Sequence, residues 1–176
     1  MASTSAYLWP TEGLDHLMAV YPKNGTNDAT LYLGLFTTSW ATIEGYGLTN
    51  INVTLNTGTY PVTELGSATG YTTRTSLAAA TWGAQSAGTT VINSTTINVR
   101  QSTYPAVTIT NSSGSTWTGV NGIFVANWAT VGGVSTGAAG NCVLFYAQFS
   151  DASTVTLANG DSLTVTPVWQ SAPYPS

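Results

Sequence analysis

Threonine is the residue that most constrains how this chain can fold. The 176 residues include 32 threonines, but only three Lys and Arg and seven Asp and Glu. Threonine is β-branched, fits a pleated and half-buried surface, and supplies polarity without charge. Disordered chains combine low hydrophobicity with high charge, whereas this chain is 43% hydrophobic and 6% charged. The composition therefore favours β-strands with neutral solvated faces.

Apolar periodicity predicts one short helix followed by many strands. Over residues 11–21, apolar residues recur at i, i+3, i+4 and i+7, which is one face of a helix, and Pro22 ends it. From residue 29 the period becomes two, and both faces of residues 31–36 are apolar, which predicts a central strand. Further strands are predicted at residues 51–55, 71–77, 89–99, 106–110, 122–126, 142–149, 153–157 and 163–169.

The spacing of these strands predicts the architecture. Short strands separated by turn-rich segments are typical of all-β folds, so we expect a β-sandwich or jelly-roll-like domain with a short N-terminal helix. Residues 1–28 would form an N-terminal arm and the helix, and residues 29–176 the β-sandwich domain. Pro61 and Pro105 cannot donate a backbone hydrogen bond, so their strands should begin at or lie on sheet edges.

The charge pattern argues against several classes of partner. The net charge is −4, and Lys23, Arg74 and Arg100 are far apart in sequence, so we expect no nucleic-acid binding. The apolar runs are well short of the ~20 residues that cross a bilayer, so we expect no membrane span. The N-terminus lacks the basic region and apolar core of a secretory signal, which favours folding in a cytosol.

Few residues could support catalysis or metal binding. His16, the only histidine, follows Glu12 by four residues on the predicted helix, so an exposed i, i+4 partner is favoured over a catalytic or metal role. One histidine and one cysteine cannot fill a four-coordinate zinc site. Cys142 stands within an apolar stretch and is expected to be a small buried hydrophobic residue. We therefore expect no metal and no cofactor.

Paired carboxylates are the remaining route to an enzyme. Glu44 with Glu64, or Asp151 with Asp161, could in principle converge for glycoside hydrolysis. Their spacing singles out neither pair, and scattered surface carboxylates are favoured, with the Asp161 side chain bonding the backbone of its own turn. The sequence therefore predicts no catalytic residues and a non-enzymatic protein.

The scarcity of charge also bears on assembly. Strand edges of monomeric proteins are commonly protected by Lys or other charges, and this chain has few charges to serve that purpose. Charged residues are depleted from interface cores and aromatic residues are enriched there, although Trp82, Trp117 and Trp128 are expected in the core of the protein itself. We therefore expect a homo-oligomer, with a trimer as the leading form.

Five segments of the sequence together carry a resemblance to a known family. They are residues 29–38 (ATLYLGLFTT), residues 70–74 (GYTTR), Trp117 through Gly122-Ile123-Phe124, Gly140-Asn141 with Leu144-Phe145-Tyr146, and residues 160–163 (GDSL). In these segments and their order, the chain resembles small structural proteins of tailed bacteriophages, often described as tail-fibre-like or capsid decoration proteins. The resemblance extends from about residue 14 to residue 169, and the shared order is more specific than any single segment.

This resemblance implies a virion component with a β-sandwich core and supplies no catalytic residues. The leading interpretation is a capsid decoration (cement) protein, made in the host bacterial cytoplasm, that binds the major capsid protein on the outer capsid surface and stabilises the head shell. The alternative is a tail-fibre or receptor-binding module that contacts host surface carbohydrate. A glycan-cleaving enzyme is the third hypothesis.

The N-terminal arm is the candidate interface. Tyr7, Leu8, Trp9 and Pro10 form an apolar cluster just ahead of the predicted helix, while residues 1–6 have the composition of a disordered terminus. An exposed cluster of this kind favours association unless it docks. Two interpretations stay open: the cluster packs on the protein's own sandwich, or it reaches a neighbouring subunit or the capsid.

Overall fold

The computed structural model describes residues 4–8, 10–20, 28–46, 53–92, 95–149 and 153–171. These residues form several sheets, most of them antiparallel, with only two short α-helices, which confirms the predicted all-β fold with a short N-terminal helix. None of the helices in these ranges is long and apolar enough to cross a membrane.

The elements follow one another along the chain as fourteen described strands and two α-helices. They are β1 (Thr4–Leu8), α1 (Thr11–Val20), β2 (Thr30–Phe36), α2 (Trp40–Gly45), β3 (Thr54–Leu55), β4 (Pro61–Val62), β5 (Thr75–Ala78), β6 (Ser86–Ile92), β7 (Thr95–Thr103), β8 (Val107–Thr110), β9 (Trp117–Val120), β10 (Gly122–Ala126), β11 (Val143–Phe149), β12 (Val155–Leu157), β13 (Ser162–Val165) and β14 (Val168–Ser171). Two short 3₁₀ turns lie at Ser67–Thr69 and Ala79–Thr81.

A five-stranded antiparallel sheet in the order β1-β11-β10-β2-β5 forms the centre of the fold. All of β10 and nearly all of β11 are buried, so both faces of the sheet are covered, and β2 lies inside it as the sequence predicts. Gly34 of β2 pairs with Phe124 of β10. A Cβ at Gly34 would lie 2.3 Å from the Phe124 ring, so glycine is needed for this ring to cross β2.

One face of the central sheet packs against four short strands, which gives a sandwich-like arrangement. β8 pairs with β13 and β9 pairs with β12, both antiparallel. In β8, buried Val107 and Ile109 alternate with exposed Thr108 and Thr110, as expected for a strand with one solvated face. The hydrophobic cluster between the layers includes Leu33, Leu35, Ile123 and Val125 from the central sheet and Trp117, Val120, Leu157, Leu163 and Val165 from the opposing strands.

The other face is covered by α2 and the small β3–β4 sheet. Ser39 caps α2, because its hydroxyl accepts a hydrogen bond from the N–H of Thr42 at 3.2 Å. The second hydrophobic cluster lies under this cover and includes Phe36, Trp40, Ile43, Leu55, Val62, Phe124, Val143 and Tyr146. The core therefore has two parts, one on each side of the central sheet.

Three local expectations differ from the structure. Residues 4–6, expected to be disordered, belong to β1, because the backbone of this segment pairs with β11. The single strand expected at residues 89–99 is an antiparallel pair of strands in which Ile92 faces Thr95. β-branched residues stand on both sides of positions 93 and 94, so the two strands resemble one in sequence; those two positions lie outside the described part. Residues 40–45 form a helix that the strand pattern did not indicate.

Candidate functional site

The predicted interface segment, Tyr7, Leu8, Trp9 and Pro10, begins as a strand of the central sheet. The backbone of β1, which includes Tyr7 and Leu8, pairs antiparallel with β11 of the same chain. Pro10 is buried, and its carbonyl accepts a hydrogen bond from the N–H of Gly13 at 3.0 Å as α1 begins. Trp9 and the side chains of Tyr7 and Leu8 lie outside the described residues. An interface role for this segment therefore stays a prediction.

Glu12 anchors the start of α1 in the protein interior. Its Oε1 accepts hydrogen bonds from the N–H of Val143 and from the hydroxyl of Ser135, both at 2.8 Å. The Ser135 oxygen accepts in turn from the N–H of Leu55 at 3.0 Å. Burial raises the pKa of the Glu12 carboxyl above its ordinary value, while the two hydrogen bonds oppose that increase. This network ties α1 to β3, β11 and the β10–β11 loop.

Gly13 allows α1 to approach β11 closely. A Cβ at this position would lie 2.6 Å from the carbonyl oxygens of both Val143 and Leu144. Real side chains do not tolerate such a contact with backbone, so only glycine fits between the helix and the strand. Glu12 and Gly13 together fix the helix on the central sheet.

The i, i+4 spacing predicts that His16 pairs with Glu12. In the structure, His16 instead contacts two other acceptors. Its Nδ1 lies 2.8 Å from the carbonyl oxygen of Ala138, and its Nε2 lies 2.8 Å from Oδ2 of Asp28. A carbonyl oxygen and a carboxylate oxygen are both acceptors, so each ring nitrogen of His16 faces an acceptor. The side chains of His16 and Asp28 are 14% and 26% exposed. The i, i+4 spacing was a wrong guide because the Glu12 carboxylate accepts hydrogen bonds from Ser135 and Val143 in the interior.

A groove with a volume of about 350 Å³ opens beside the His16–Asp28 pair. Two partly buried tryptophans line it, Trp82 and Trp169. The Trp82 ring meets Tyr104 edge-on, with ring centroids 5.2 Å apart. Trp82 therefore lines an open groove rather than lying wholly in the core, whereas Trp117 and Trp128 are buried as expected. Apolar Leu17, Leu31 and Leu144 and polar Gln85 and Ser102 complete much of the lining.

Glu64 and Arg74 form a buried ion pair under the β10–β11 loop. Nε of Arg74 lies 2.7 Å from Oε1 of Glu64, and Nη2 lies 2.9 Å from Oε2, so the contact is bidentate. The remaining Arg74 Nη1 donates to the carbonyl of Trp128 at 2.8 Å, and the N–H of Gly132 donates to Glu64 Oε2 at 2.7 Å. The guanidinium also lies over the rings of Trp128 and Phe124, at 4.4 and 4.9 Å from their centroids. The two side chains are 0% and 1% exposed.

This geometry corrects the interpretation of Glu64 as a surface carboxylate that could converge with Glu44. Glu64 is committed to Arg74, while the exposed Glu44 accepts a hydrogen bond from Nε1 of Trp40 at 3.0 Å. Asp161 accepts from the N–H of Ala158 at 2.8 Å, which is the predicted bond to its own turn. Asp151 lies outside the described residues.

Cys142 is a buried free thiol, as the sequence predicts. Burial, together with the negative charge of Glu12, raises the pKa of this thiol to about 12. A thiol of that pKa is protonated at neutral pH and is a poor nucleophile. Cys142 therefore acts as a small core residue.

The described ranges bring no three His, Cys, Asp or Glu side chains together in an arrangement that could hold a metal ion. Comparison with known proteins found no family model, no curated protein and no solved structure that matches this chain.

Proposed function

We propose that the protein is a non-enzymatic structural component of a bacteriophage particle, and within that class a capsid decoration protein on the outer head shell. The observation that carries the proposal is a neutral, hydroxyl-bearing face on the β8–β13 sheet. Thr108, Thr110, Ser162 and Thr164 form this hydroxyl face, opposite the buried side of the same two strands.

The hydroxyl face is ordered by cross-strand contacts. The hydroxyls of Thr108 and Thr164 lie 3.2 Å apart, and those of Thr110 and Ser162 lie 2.8 Å apart. Cross-strand hydroxyl pairs of this kind stabilise a sheet, and β-branched threonine restricts its own rotamers. A partner that covers this face meets a stiff surface and displaces no hydration shell from a charged group. Because burying an unpaired charge is costly, such a face suits a flat contact with a protein shell.

The ionisable side chains support a structural role in a different way. Glu12, His16, Glu64 and Asp161 each hold a loop or a helix through contacts with backbone groups or with another side chain. Glu12 and Glu64, moreover, lie in the interior, where their carboxylates serve as acceptors for N–H groups. These ionisable side chains therefore hold the fold together, as expected for a structural protein without catalytic activity.

Copy number tests this proposal most directly. Quantitative mass spectrometry of purified particles, normalised to the major capsid protein, should find hundreds of copies of this chain per particle. Tens of copies would replace the decoration role with a fibre role, and none would contradict a virion component.

The contact surface can be tested separately. Thr108→Lys and Thr164→Lys add charge to the hydroxyl face and should weaken binding of the protein to particles that lack it. Thr118→Lys is the matched control, because Thr118 is an exposed threonine on β9 outside this face. Equal loss of binding in all three variants would contradict the hydroxyl face as the contact.

The groove favours a second candidate, a receptor-binding module that contacts host surface carbohydrate. Indole rings stack on the apolar face of a sugar, while an amide such as that of Gln85 and a carboxylate such as that of Asp28 can bond its hydroxyls. Trp82→Ala should then abolish binding to host surface glycan in a pull-down. Tyr60→Ala, which removes a partly exposed aromatic ring outside the groove, should leave that binding unchanged. No binding by the wild-type protein would exclude this candidate.

A further inference from the structure

β6 is the longest edge strand in the part of the chain that the structure describes. It spans the seven residues Ser86–Ile92 and forms the last strand of the sheet β14-β7-β6. The other edge strands of the described sheets have five residues or fewer. Short strands limit pairing with other chains, so β6 is the edge with the greatest capacity for it.

The chemistry of β6 lacks the usual protections of an exposed edge. Native edges are blunted by Lys, by proline, by β-bulges or by short length. The sequence of β6 is SAGTTVI, which has no charged residue and no proline. Its pairing with β7 runs in unbroken register from Ser86 opposite Gln101 to Ile92 opposite Thr95, without a bulge. Its outward N–H and C=O groups therefore form a regular row that can extend the sheet.

The outer edge of β6 is also electrically neutral at its surface. Ser86, Ala87 and Thr89 are exposed and uncharged. Arg100, the one formal charge between residues 86 and 103, lies on β7, one strand further in. An edge that binds a charged partner would be expected to carry charges of the opposite sign, and β6 carries none. Two copies of a neutral edge, in contrast, can pair without like-charge repulsion. This favours the same chain as the partner, although each chain carries a net charge of −4.

We infer that the edge of β6 that pairs with no described strand pairs with a sheet edge of a second copy of this chain, an inference that rests on the assembly role in the proposed function and deepens it. A two-fold axis joins β6 to β6 of the second copy and gives a dimer. A three-fold ring joins β6 to β14 of the next copy, the opposite edge of the same sheet, and gives the predicted trimer. Both arrangements continue the backbone hydrogen bonding of β7 and β6 across the contact.

Two neighbouring proline variants test the edge itself. Consecutive residues of a strand direct their N–H groups alternately toward β7 and toward the free edge. Of Thr89→Pro and Thr90→Pro, one therefore removes an outward N–H and leaves the β6–β7 ladder intact, while the other breaks the ladder. Light scattering behind a sizing column, without any shell present, should show an oligomer for the wild type. One variant should be a monomer with the wild-type melting temperature, and the other should melt earlier.

A charge variant and its matched control complete the test. In the two-fold contact of β6 with β6, Thr89→Lys places like charges near each other and should raise the dissociation constant by up to about fivefold. Thr118→Lys on the four-residue strand β9 should leave the mass unchanged. A monomeric wild type, or wild-type mass in both proline variants and in Thr89→Lys, would overturn the inference. Binding to the shell is measured separately. An oligomer that does not bind the shell would contradict only the decoration role, and a monomer that binds the shell would contradict only the edge pairing.

Discussion

The interior around Glu64 and Arg74 and the hairpin formed by β6 and β7 hold charge in opposite ways. In the interior, the buried side chains of Glu64 and Arg74 form an ion pair with each other. The pair also forms hydrogen bonds with two backbone groups, and the guanidinium lies over two aromatic rings. In the hairpin, seventeen of the eighteen positions from 86 to 103 carry no formal charge, and Ser86, Ala87 and Thr89 on the outer strand are exposed. Most soluble proteins place charge at the surface and keep it out of the core.

This contrast shows what the few charged residues of the chain do in the fold. Among the charged residues that the structure describes, Glu12, Glu64 and Arg74 are buried, and each fixes an element against the central sheet. Apart from a few exposed charges such as Glu44 and Arg100, the described surface is mainly uncharged, and hydroxyl and amide groups cost less to desolvate than ions do. The buried charges order the interior of the protein, and in the proposed assembly the neutral strands make the contacts with partners. The following predictions either break this contrast or sharpen it.

Removal of Arg74 should have the largest effect on stability. Arg74→Met leaves the Glu64 carboxylate buried without its cation, which is expected to lower the free energy of unfolding by about 3–5 kcal/mol. Arg100→Met, at an exposed arginine, is the matched control and should change it by less than about 0.5 kcal/mol. Urea unfolding of both variants gives the comparison. Similar small changes in both would show that the buried pair does not hold the β10–β11 loop.

A methyl group at Gly13 should separate α1 from β11. Gly13→Ala forces the new Cβ against two backbone carbonyls, and overpacking of this kind is expected to cost about 1–3 kcal/mol. Gly45→Ala in α2 is the control, because no atom lies within 4 Å of its Cβ position, and alanine should be neutral or stabilising in a helix. If thermal unfolding shows Gly13→Ala to be as stable as Gly45→Ala, the close packing of α1 is wrong.

Glu12 should make stability depend on pH in a defined direction. A carboxyl whose folded-state pKa is raised binds its proton more tightly when folded, so its contribution favours folding below the ordinary pKa of 4.5 and is lost as the pH rises through the folded-state value. Relative to Glu12→Gln, the wild type should therefore be less stable near neutral pH than at about pH 4, as compared by urea unfolding of both proteins at the two pH values. A difference between the two proteins that does not change with pH would contradict the raised pKa.

Glu44 should show the smallest effect. It is exposed, and Glu44→Gln keeps an oxygen that can accept from Nε1 of Trp40, so stability should change by less than about 0.5 kcal/mol. Particle binding and infectivity should be unchanged. If wild-type protein cleaved a glycan substrate and Glu44→Gln did not, the non-enzymatic account would fail.

Local pattern was a good guide where a segment's burial follows from its own sequence. The apolar run of β2 and the strands β10 and β11 lie where the sequence predicts them, because strands buried on both faces are continuously hydrophobic. The helix at α1 was found because its apolar residues keep helical spacing over ten residues. α2 has only six residues, too few for a periodic signal, and β1 begins with the small residues Thr4, Ser5 and Ala6.

The sites were harder to predict because their members meet only through the fold. Glu64 and Arg74 are ten residues apart in sequence, and Gly132, which donates to Glu64 from the β10–β11 loop, is much further away. The groove joins Trp82 to Trp169, from segments that no spacing rule connects. A rare arginine in a chain with almost no other cation is the one signal that could have indicated a buried partner.

The salt dependence of assembly tests the central claim, that neutral strands rather than charges join this protein to its partners. The isolated protein should be sized by light scattering in low salt and in about 1 M NaCl, where the screening length falls to about 3 Å. Contacts made through uncharged strand edges should survive, so the oligomer mass should be the same in both conditions. An oligomer that dissociates in high salt would show that the few charges carry the contact, and it would contradict the account.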